Sequence, residues 1–185
     1  HVYFVDAGEP LKNIEHCSNH VKNILETWGS QISRDHRIIS IGGGSVGDFS
    51  GFVASVLKRG VQLTHVPTTW LSAVDSAHGG KTALNVGGVK NQVGSFYPAD
   101  TVFLVKEILM SQPEERAKEA LGEVIKMALI DPDPFLPVLK EKAQSADGTL
   151  SDIIWDVLKL SVEGKYKFIL KDPYEKEGVR KALNL

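Results

Sequence analysis

The sequence has little of what marks disulfide-rich, membrane-spanning or nucleic-acid-binding proteins. Cys17 is the only cysteine, which excludes an internal disulfide and is typical of a reducing compartment. No apolar run reaches the roughly 18 residues that a membrane-spanning helix needs, and the first residues lack a signal-peptide pattern. The formal net charge of -2 gives no global field to attract nucleic acid or an anionic membrane. We therefore expect a cytoplasmic protein with small-molecule partners, and neither nucleic acid nor membrane among them.

What the chain does contain is the composition of a globular protein. Of its 185 residues, 42% are hydrophobic and 24% are charged, enough for one domain and part of another. Strand and helix patterns alternate in the first part, which predicts a parallel sheet with helices on its faces. The predicted strands are 2–5, 37–41, 61–66 and 101–105, and the predicted helices are 11–28 and 49–58.

A glycine-rich turn joins the strand at 37–41 to the following helix. The spacing Gly42-x-Gly44-x-x-Gly47 matches G-x-G-x-x-G, which lets the backbone approach a pyrophosphate at a helix start, although a purely structural turn is the alternative. The acidic ribose ligand expected about 20 residues later is absent. Asp48 either does a related job or caps the helix. The turn therefore predicts a nucleotide-type cofactor.

After Pro113 the strand signal disappears and two long helical patterns follow, at 114–130 and 151–170. We therefore predict a Rossmann-like α/β domain at 1–112, followed by the start of an all-helical domain at 113–185. Four strands are few for a doubly wound sheet, and the helical part ends abruptly. Both domains are therefore expected to be incomplete in this chain.

Polar residues that suit a ligand are concentrated between positions 68 and 91. They are Thr68, Thr69, Asp75, Lys81, Lys90 and Asn91. The threonines follow a strand, where they can bind phosphate or ribose or simply cap a helix. Both lysines follow glycine pairs, so we predict that they lie on glycine-rich loops and reach an anionic polyol, although solvated surface lysines are the alternative. Their charge would favour an enolate or a leaving phosphate.

Glu119, Glu123 and Lys126 share one face of the predicted helix at 114–130. An exposed charged face explains this spacing, and an inward-pointing Glu123 could instead bind a metal. One carboxylate cannot hold a catalytic metal alone, because zinc sites use three protein ligands.

Six stretches together make the chain recognisable: GGGSVGDFSGFVA, RGVQLTHVPTTWL, VDSAHGGKTALN, KNQVGSFY, EALGEVIK and GVRKALNL. Over about residues 9–185 they closely resemble the 3-dehydroquinate synthase family of sugar-phosphate cyclases. The resemblance implies an NAD- and metal-dependent lyase of the shikimate pathway, with zinc or cobalt as the metal. Such an enzyme converts 3-deoxy-arabino-heptulosonate 7-phosphate to 3-dehydroquinate and phosphate, and NAD is not consumed.

The resemblance also implies roles for individual residues. Implied NAD contacts are Glu9, Lys12, Gly44, Ser45, Val46, Gly47, Asp48, Thr68, Thr69, Asp75, Lys81, Lys90, Ile108, Leu109 and Ser111. Implied substrate contacts are Arg59, Asp75, Lys81, Lys90, Asn91, Lys126, Lys165, Arg180 and Asn184, and Glu123 resembles the first metal ligand. Arg59 resembles an arginine that reaches the partner subunit's site, which implies a homodimer.

The chain departs from the family pattern at several places. Ala7 stands where the family often has aspartate, Ser111 where it often has threonine, and His78 where a small apolar residue is usual. The family continues beyond the equivalent of Leu185 with the histidines that complete its metal site. We therefore expect a central piece of an enzyme that is inactive by itself.

Three other interpretations stay open. Polyol dehydrogenases of the iron-dependent alcohol dehydrogenase type share the GGGS-x-x-D turn and the Pro-Thr-Thr segment, but they catalyse net hydride transfer. Another sugar-phosphate cyclase could make an aminocyclitol precursor or a valiolone. The chain could also be a non-catalytic dinucleotide-binding or dimerising module.

Overall fold

A computed structural model describes residues 1–145 and 148–184, which form two compact units. The sheet unit contains His1–Thr68 and Gly80–Phe103, and the helical unit contains Thr69–Gly79 and the described residues from Leu104 onward. Leu185, which ends the recognised GVRKALNL stretch, and positions 146–147 lie outside the described residues. The division into domains at 1–112 and 113–185 stays a prediction.

The sheet unit places a helix over a parallel sheet. Its elements in chain order are α1 (Ile14–Trp28), β1 (Arg37–Gly42), α2 (Gly44–Val56), β2 (Gln62–Pro67), β3 (Lys81–Val86), β4 (Val89–Phe96) and β5 (Thr101–Val102). The parallel strands have the order β1-β2-β5. Phe49 and Val53 of α2 share a buried apolar cluster with Leu63 of β2. This burial is the main stabilising contribution that we expect for the unit.

Local signals explain where the helices of the sheet unit begin and end. The Asn13 side chain accepts the N–H groups of Glu15 and His16 and so caps α1, which ends at Trp28, the last residue of the predicted helix. A single 3-10 turn, Glu9–Lys12, replaces the first residues of the predicted helix. Helix α2 begins at Gly44, five residues before the predicted start at position 49.

The stretch 81–96 is an antiparallel β-hairpin, so the prediction of glycine-rich loops around the two lysines is wrong. Lys81 begins β3 and Lys90 lies in β4. Gly87 and Gly88 form the two-residue turn, with φ angles of 57° and 77°. Both angles fall in the left-handed region that hairpin turns of this length require and that glycine adopts at low cost.

Two further strand predictions need correction. Residues 1–7, all of them described, form no helix or strand, so the predicted strand at 2–5 is wrong. Val2 and Phe4 are exposed there, and a strand needs a neighbour with which to pair its backbone. The strand expected at 101–105 is limited to Thr101–Val102.

The helical unit is built around one apolar core. Its helices are α3 (70–79, with a π-helical turn at Ser72–Ser76), α4 (Lys106–Met110), α5 (Glu114–Ile130), α6 (Pro132–Gln144) and α7 (Leu150–Lys171). A 3-10 turn, Val179–Asn184, follows them. Trp70, Val124 and Ile154 are fully buried and join α3, α5 and α7 in this core. The helices predicted at 114–130 and 151–170 are confirmed. Within the described part of the chain, no helix is long and apolar enough to cross a membrane.

Candidate functional site

The first turn of α2 keeps its backbone N–H groups open. Gly43 precedes the helix, and no described side chain caps it. A Cβ atom on Gly42 would lie 2.6 Å from Cβ of Val46, so only glycine fits the bend between β1 and α2. Free N–H groups at a helix start attract anions, because they carry the positive end of the helix dipole. The turn therefore has the form that the sequence predicted for a cofactor phosphate.

Two neighbouring segments contact this turn within the sheet unit. The Thr68 N–H donates to the carbonyl of Gly42 at 2.9 Å, so the residue after β2 lies directly beside the glycines. The Gly8 N–H donates to the Ser45 hydroxyl at 3.1 Å. Thr68 and Ser45, two predicted NAD contacts, therefore both lie near the start of α2.

A polar network surrounds a buried lysine in the same unit. Lys12 is only 7% exposed, and its Nζ donates to Asn91 Oδ1 and Asp48 Oδ2, each at 2.7 Å. Asn85 accepts the Asn91 N–H at 2.9 Å and donates to Glu9 at 2.7 Å, and Lys90 lies 3.8 Å from Glu9. We call this set the Lys12 network: Glu9, Lys12, Asp48, Asn85, Lys90 and Asn91.

The network brings together five predicted site residues and adds Asn85, which sequence reasoning missed. The signal for Asn85 was its place near the end of β3, just before the hairpin turn. Burial raises the pKa of Asp48, and the Lys12 ammonium partly offsets this effect. The hydrogen bond from Asn85 lowers the pKa of Glu9, and the charges of Lys12 and Lys90 add to the lowering.

Two predicted residues of the sheet unit lie outside both the glycine turn with its contacts and the Lys12 network. Lys81 is exposed at the start of β3. Arg59 lies in the 3-10 turn Leu57–Arg59, at the opposite end of α2 from the glycines, with a φ of 67°. Helix α2 is about 20 Å long at 1.5 Å per residue, so Arg59 does not join the Lys12 network.

The helical unit has its own buried cations. Lys165 of α7 is 6% exposed, and its Nζ contacts the Asp75 carboxylate and the Asp75 carbonyl, the latter at 3.0 Å. Arg180 is 2% exposed and donates to the carbonyls of Gly79 at 2.8 Å and Pro173 at 2.9 Å. The structure thus brings Asp75 and Lys165 together across 90 sequence positions.

Burial sets the electrostatics of this pair. It lowers the pKa of Lys165 to about 8, and the nearby Arg180 cation is the second cause. The Asp75 carboxylate acts in the opposite direction, because a nearby negative charge favours the ammonium form. The Asp75 side chain is 40% exposed and so remains open to a ligand. The pair can bind an anion and hold or release a proton near neutral pH.

Asp75 lies in the π-helical turn Ser72–Ser76 of α3. Such turns are rare and occur often at functional sites. The Thr69 hydroxyl accepts the Ser72 N–H at 3.2 Å and so caps this helix, which was one of the two roles left open for it.

The predicted metal ligand Glu123 pairs with a neighbouring lysine. Lys126 Nζ lies 2.5 Å from the Glu123 carboxylate and donates to the Leu183 carbonyl at 2.8 Å. Asn184 donates to Glu175 at 3.1 Å. Residues 1–145 and 148–184 contain no group of three or more His, Cys, Asp or Glu side chains that could hold a metal. A catalytic metal therefore does not fit the described residues alone.

The predicted cofactor-lining segment at 108–111 forms the end of α4. The Leu109 side chain is fully buried in the helical core, so only its backbone could contact a ligand in this arrangement. The Ser111 hydroxyl donates to the Ile108 carbonyl at 2.7 Å.

A family model and the curated relatives identify the same family. The family model described as 3-dehydroquinate synthase N-terminal matches residues 2–119. The 3-dehydroquinate synthase of Thermoplasma volcanium is 39% identical over 187 residues, which cover 98% of this chain and 48% of that protein. That of Alkaliphilus oremlandii is 36% identical over 184 residues, which cover 99% and 49%. The chain spans about half the length of these curated relatives.

A solved structure supports the same fold. It is 2-deoxy-scyllo-inosose synthase complexed with carbaglucose-6-phosphate, NAD+ and Co2+, which matches with a TM-score of 0.81 and 28% identity. The match covers 95% of this chain and 47% of that one. The predicted fold class, a sheet part followed by a helical part as in these synthases, is confirmed.

Proposed function

Because the chain belongs to the 3-dehydroquinate synthase family, we propose that it is part of an enzyme that makes 3-dehydroquinate. The reaction converts 3-deoxy-arabino-heptulosonate 7-phosphate to 3-dehydroquinate and phosphate in the cytoplasm. The observation that carries the proposal is the pair of buried cations, Lys165 and Arg180, in the helical unit beside Asp75. A substrate with a carboxylate and a phosphate needs such fixed positive charge.

NAD suits the residues at the start of α2. Gly44, Ser45, Val46 and Gly47 would hold its pyrophosphate through backbone N–H groups, in the turn where a Cβ on Gly42 has no room. When bound, NAD supplies a reversible hydride acceptor. Asp48 and Lys12 pair next to this turn and fix the start of the helix, so the site is preorganised.

The helical unit supplies the proton and charge chemistry. Lys165, with a pKa of about 8, binds an anionic group as an ammonium and can exchange a proton near neutral pH. Asp75 orients that ammonium through two contacts and keeps part of its carboxylate exposed. Arg180 stays charged throughout and fixes the positive field.

Several residue roles are proposed from the sequence resemblance alone. Lys81, Lys90, Asn91, Lys126 and Asn184 are proposed as substrate contacts, and Arg59 as a contact to the partner subunit of a homodimer. Glu123 is proposed as one ligand of a metal whose other ligands lie outside the described residues. We derive no chemical step from that metal.

Phosphate release by the full-length protein that carries this chain tests the proposal. With the seven-carbon substrate and NAD we expect steady phosphate release and no accumulation of NADH. Lasting NADH formation from a simple polyol would instead support a polyol dehydrogenase. No phosphate release at any NAD concentration, with or without added zinc or cobalt, would contradict the proposed reaction.

A second sugar-phosphate cyclase activity deserves the same assay, because the chain is also similar to 2-deoxy-scyllo-inosose synthase. In this second assay, glucose 6-phosphate replaces the seven-carbon substrate. We expect release at least tenfold slower, about 1.4 kcal/mol in transition-state free energy, if the seven-carbon acid is the true substrate. The opposite preference would reassign the substrate but keep the reaction class.

A further inference from the structure

His78 is a buried imidazole that the proposed function leaves without a role. It is 5% exposed, and burial lowers its pKa, so the ring is neutral at pH 7. Its Nε2 lies 2.9 Å from the carbonyl of Ala73. A carbonyl only accepts hydrogen bonds, so Nε2 carries the proton. Nδ1 has no hydrogen-bond partner among the described residues.

The unpaired Nδ1 of His78 helps to identify the role of this side chain. A buried polar atom without a partner is unfavourable, and an apolar side chain of similar size would fill the same space without one. Packing alone therefore does not account for a histidine here. The contribution specific to histidine is the bond from Nε2 to the Ala73 carbonyl, which a small apolar side chain cannot make.

That bond spans the turn that carries Asp75. It joins His78 to a carbonyl five positions earlier, so the ring braces the π-helical turn Ser72–Ser76 from its C-terminal side. A π-helical turn is intrinsically rare and needs support from its surroundings. The imidazole supplies support from within the same helix.

The same ring also contacts α7. The rings of His78 and Tyr166 meet edge to face, with centroids 5.8 Å apart and an interplanar angle of 74°. Tyr166 follows Lys165 directly, and His78 lies three positions after Asp75. Two contacts, one ionic and one aromatic, therefore fix the same stretch of α3 against the same stretch of α7.

We propose that His78 is a positioning residue that holds the π-helical turn in place, so that the carboxylate and carbonyl of Asp75 both meet Lys165. The catalytic consequence rests on the proposed function, whereas the geometric consequence does not. Loss of the brace would let Asp75 move away from Lys165. The ammonium would then lose its nearest negative charge, and its pKa would fall.

The test compares H78V, which cannot donate to Ala73, with H78Q, whose side-chain amide can. Both are made in the full-length protein. We expect H78V to lower kcat about tenfold, with KM within about threefold of the unchanged protein, since misplacing a catalytic group slows turnover more than binding. H78Q should stay within about threefold in both constants.

A second measurement needs no turnover. Competitive acylation of lysines, followed by peptide mass spectrometry, gives the pKa of Lys165 in each variant. We expect it to fall in H78V and to stay unchanged in H78Q. His36→Val, at an exposed histidine of the sheet unit, is the matched control and should change neither readout.

The outcomes separate this inference from the proposed function. Unchanged kcat and unchanged Lys165 pKa in H78V would overturn the positioning role, as would an H78Q protein that behaves like H78V. If H78V does not fold, H78N replaces it, because its shorter amide does not reach Ala73. If the unchanged protein releases no phosphate but the Lys165 pKa shifts as expected, the positioning role stands and the proposed reaction fails.

Discussion

Among the described residues, each unit buries one lysine beside a carboxylate, and the two lysines differ in what surrounds them. Lys12 in the sheet unit is 7% exposed and Lys165 in the helical unit is 6% exposed. Lys12 divides its donors between Asp48 and Asn91, which belong to different segments. Lys165 donates to two oxygen atoms of Asp75, its carbonyl and its carboxylate. Lys12 therefore joins separate segments, whereas Lys165 is held by a single turn.

The electrostatic surroundings differ more than the burial does. Lys165 lies near a second buried cation, Arg180, and its pKa is lowered to about 8. In the Lys12 network, the side-chain partners of the Lys12 ammonium are the Asp48 carboxylate and the neutral Asn91 amide. For Lys165, burial is the larger cause of the lowered pKa, and the Arg180 cation adds to it because a nearby positive charge disfavours the ammonium form.

The largest expected effect follows from removing the Lys165 ammonium from the helical unit. Lys165→Met in the full-length protein should lower phosphate release about 10²–10³-fold, the usual cost of losing one preorganised charged donor. Steady-state phosphate release with saturating NAD measures it.

Lys159→Met is the matched control for that variant. Lys159 lies on the same helix, and its side chain is 84% exposed beside Glu163. It should keep full activity. Equal loss in both variants would trace the effect to α7 itself, and full activity in Lys165→Met would remove Lys165 from the site.

Much of the fold could be predicted from the sequence, because those elements carry local signals. Asn13 and Gly29 bound α1, and the apolar periodicity of α5 and α7 is regular. The hairpin was missed although its Gly87-Gly88 turn is a strong local signal, because glycines next to lysines were interpreted as ligand loops. The strand at 2–5 was predicted from β-branched and aromatic residues, but pairing depends on a neighbour that local composition does not reveal.

The parts of the candidate site also differ in whether the sequence alone predicts them. The glycine turn could be predicted because its function depends on consecutive residues. The pairing of Asp75 with Lys165 could not, since 90 positions separate them and only the family resemblance named both. Asn85 was missed because its two partners, the Glu9 side chain and the Asn91 backbone N–H, become its neighbours only once the hairpin has formed. The π-helical turn also has no apolar periodicity of its own.

The second prediction concerns the structural lysine. Lys12→Met should lower the free energy of unfolding by about 2–3 kcal/mol, because it leaves Asp48 charged and mostly buried. Chemical denaturation of the full-length protein measures this change. NAD binding should weaken as well, because Asp48 helps to fix the start of α2.

Lys22→Met serves as the control for Lys12→Met. Lys22 is exposed on α1 and lies 3.7 Å from Glu26, an arrangement worth at most about 0.5 kcal/mol. If Lys12→Met were as stable as Lys22→Met, the Lys12 network would not be the structural element described above.

The smallest expected effect is a pH dependence of the free energy of unfolding that Lys165 should produce. Lys165 has a pKa of about 8 in the folded protein and about 10.4 when unfolded, so between these values the unfolded state binds more protons. The free energy of unfolding that Lys165 contributes therefore rises with pH, by about 1–2 kcal/mol from pH 8 to 9.5. Denaturation of the unchanged protein and Lys165→Met across this range isolates it, because Tyr166 and Cys17 titrate in both. Parallel curves would mean that burial and the Arg180 cation do not lower the pKa of Lys165, and its proposed part in proton exchange would then be wrong.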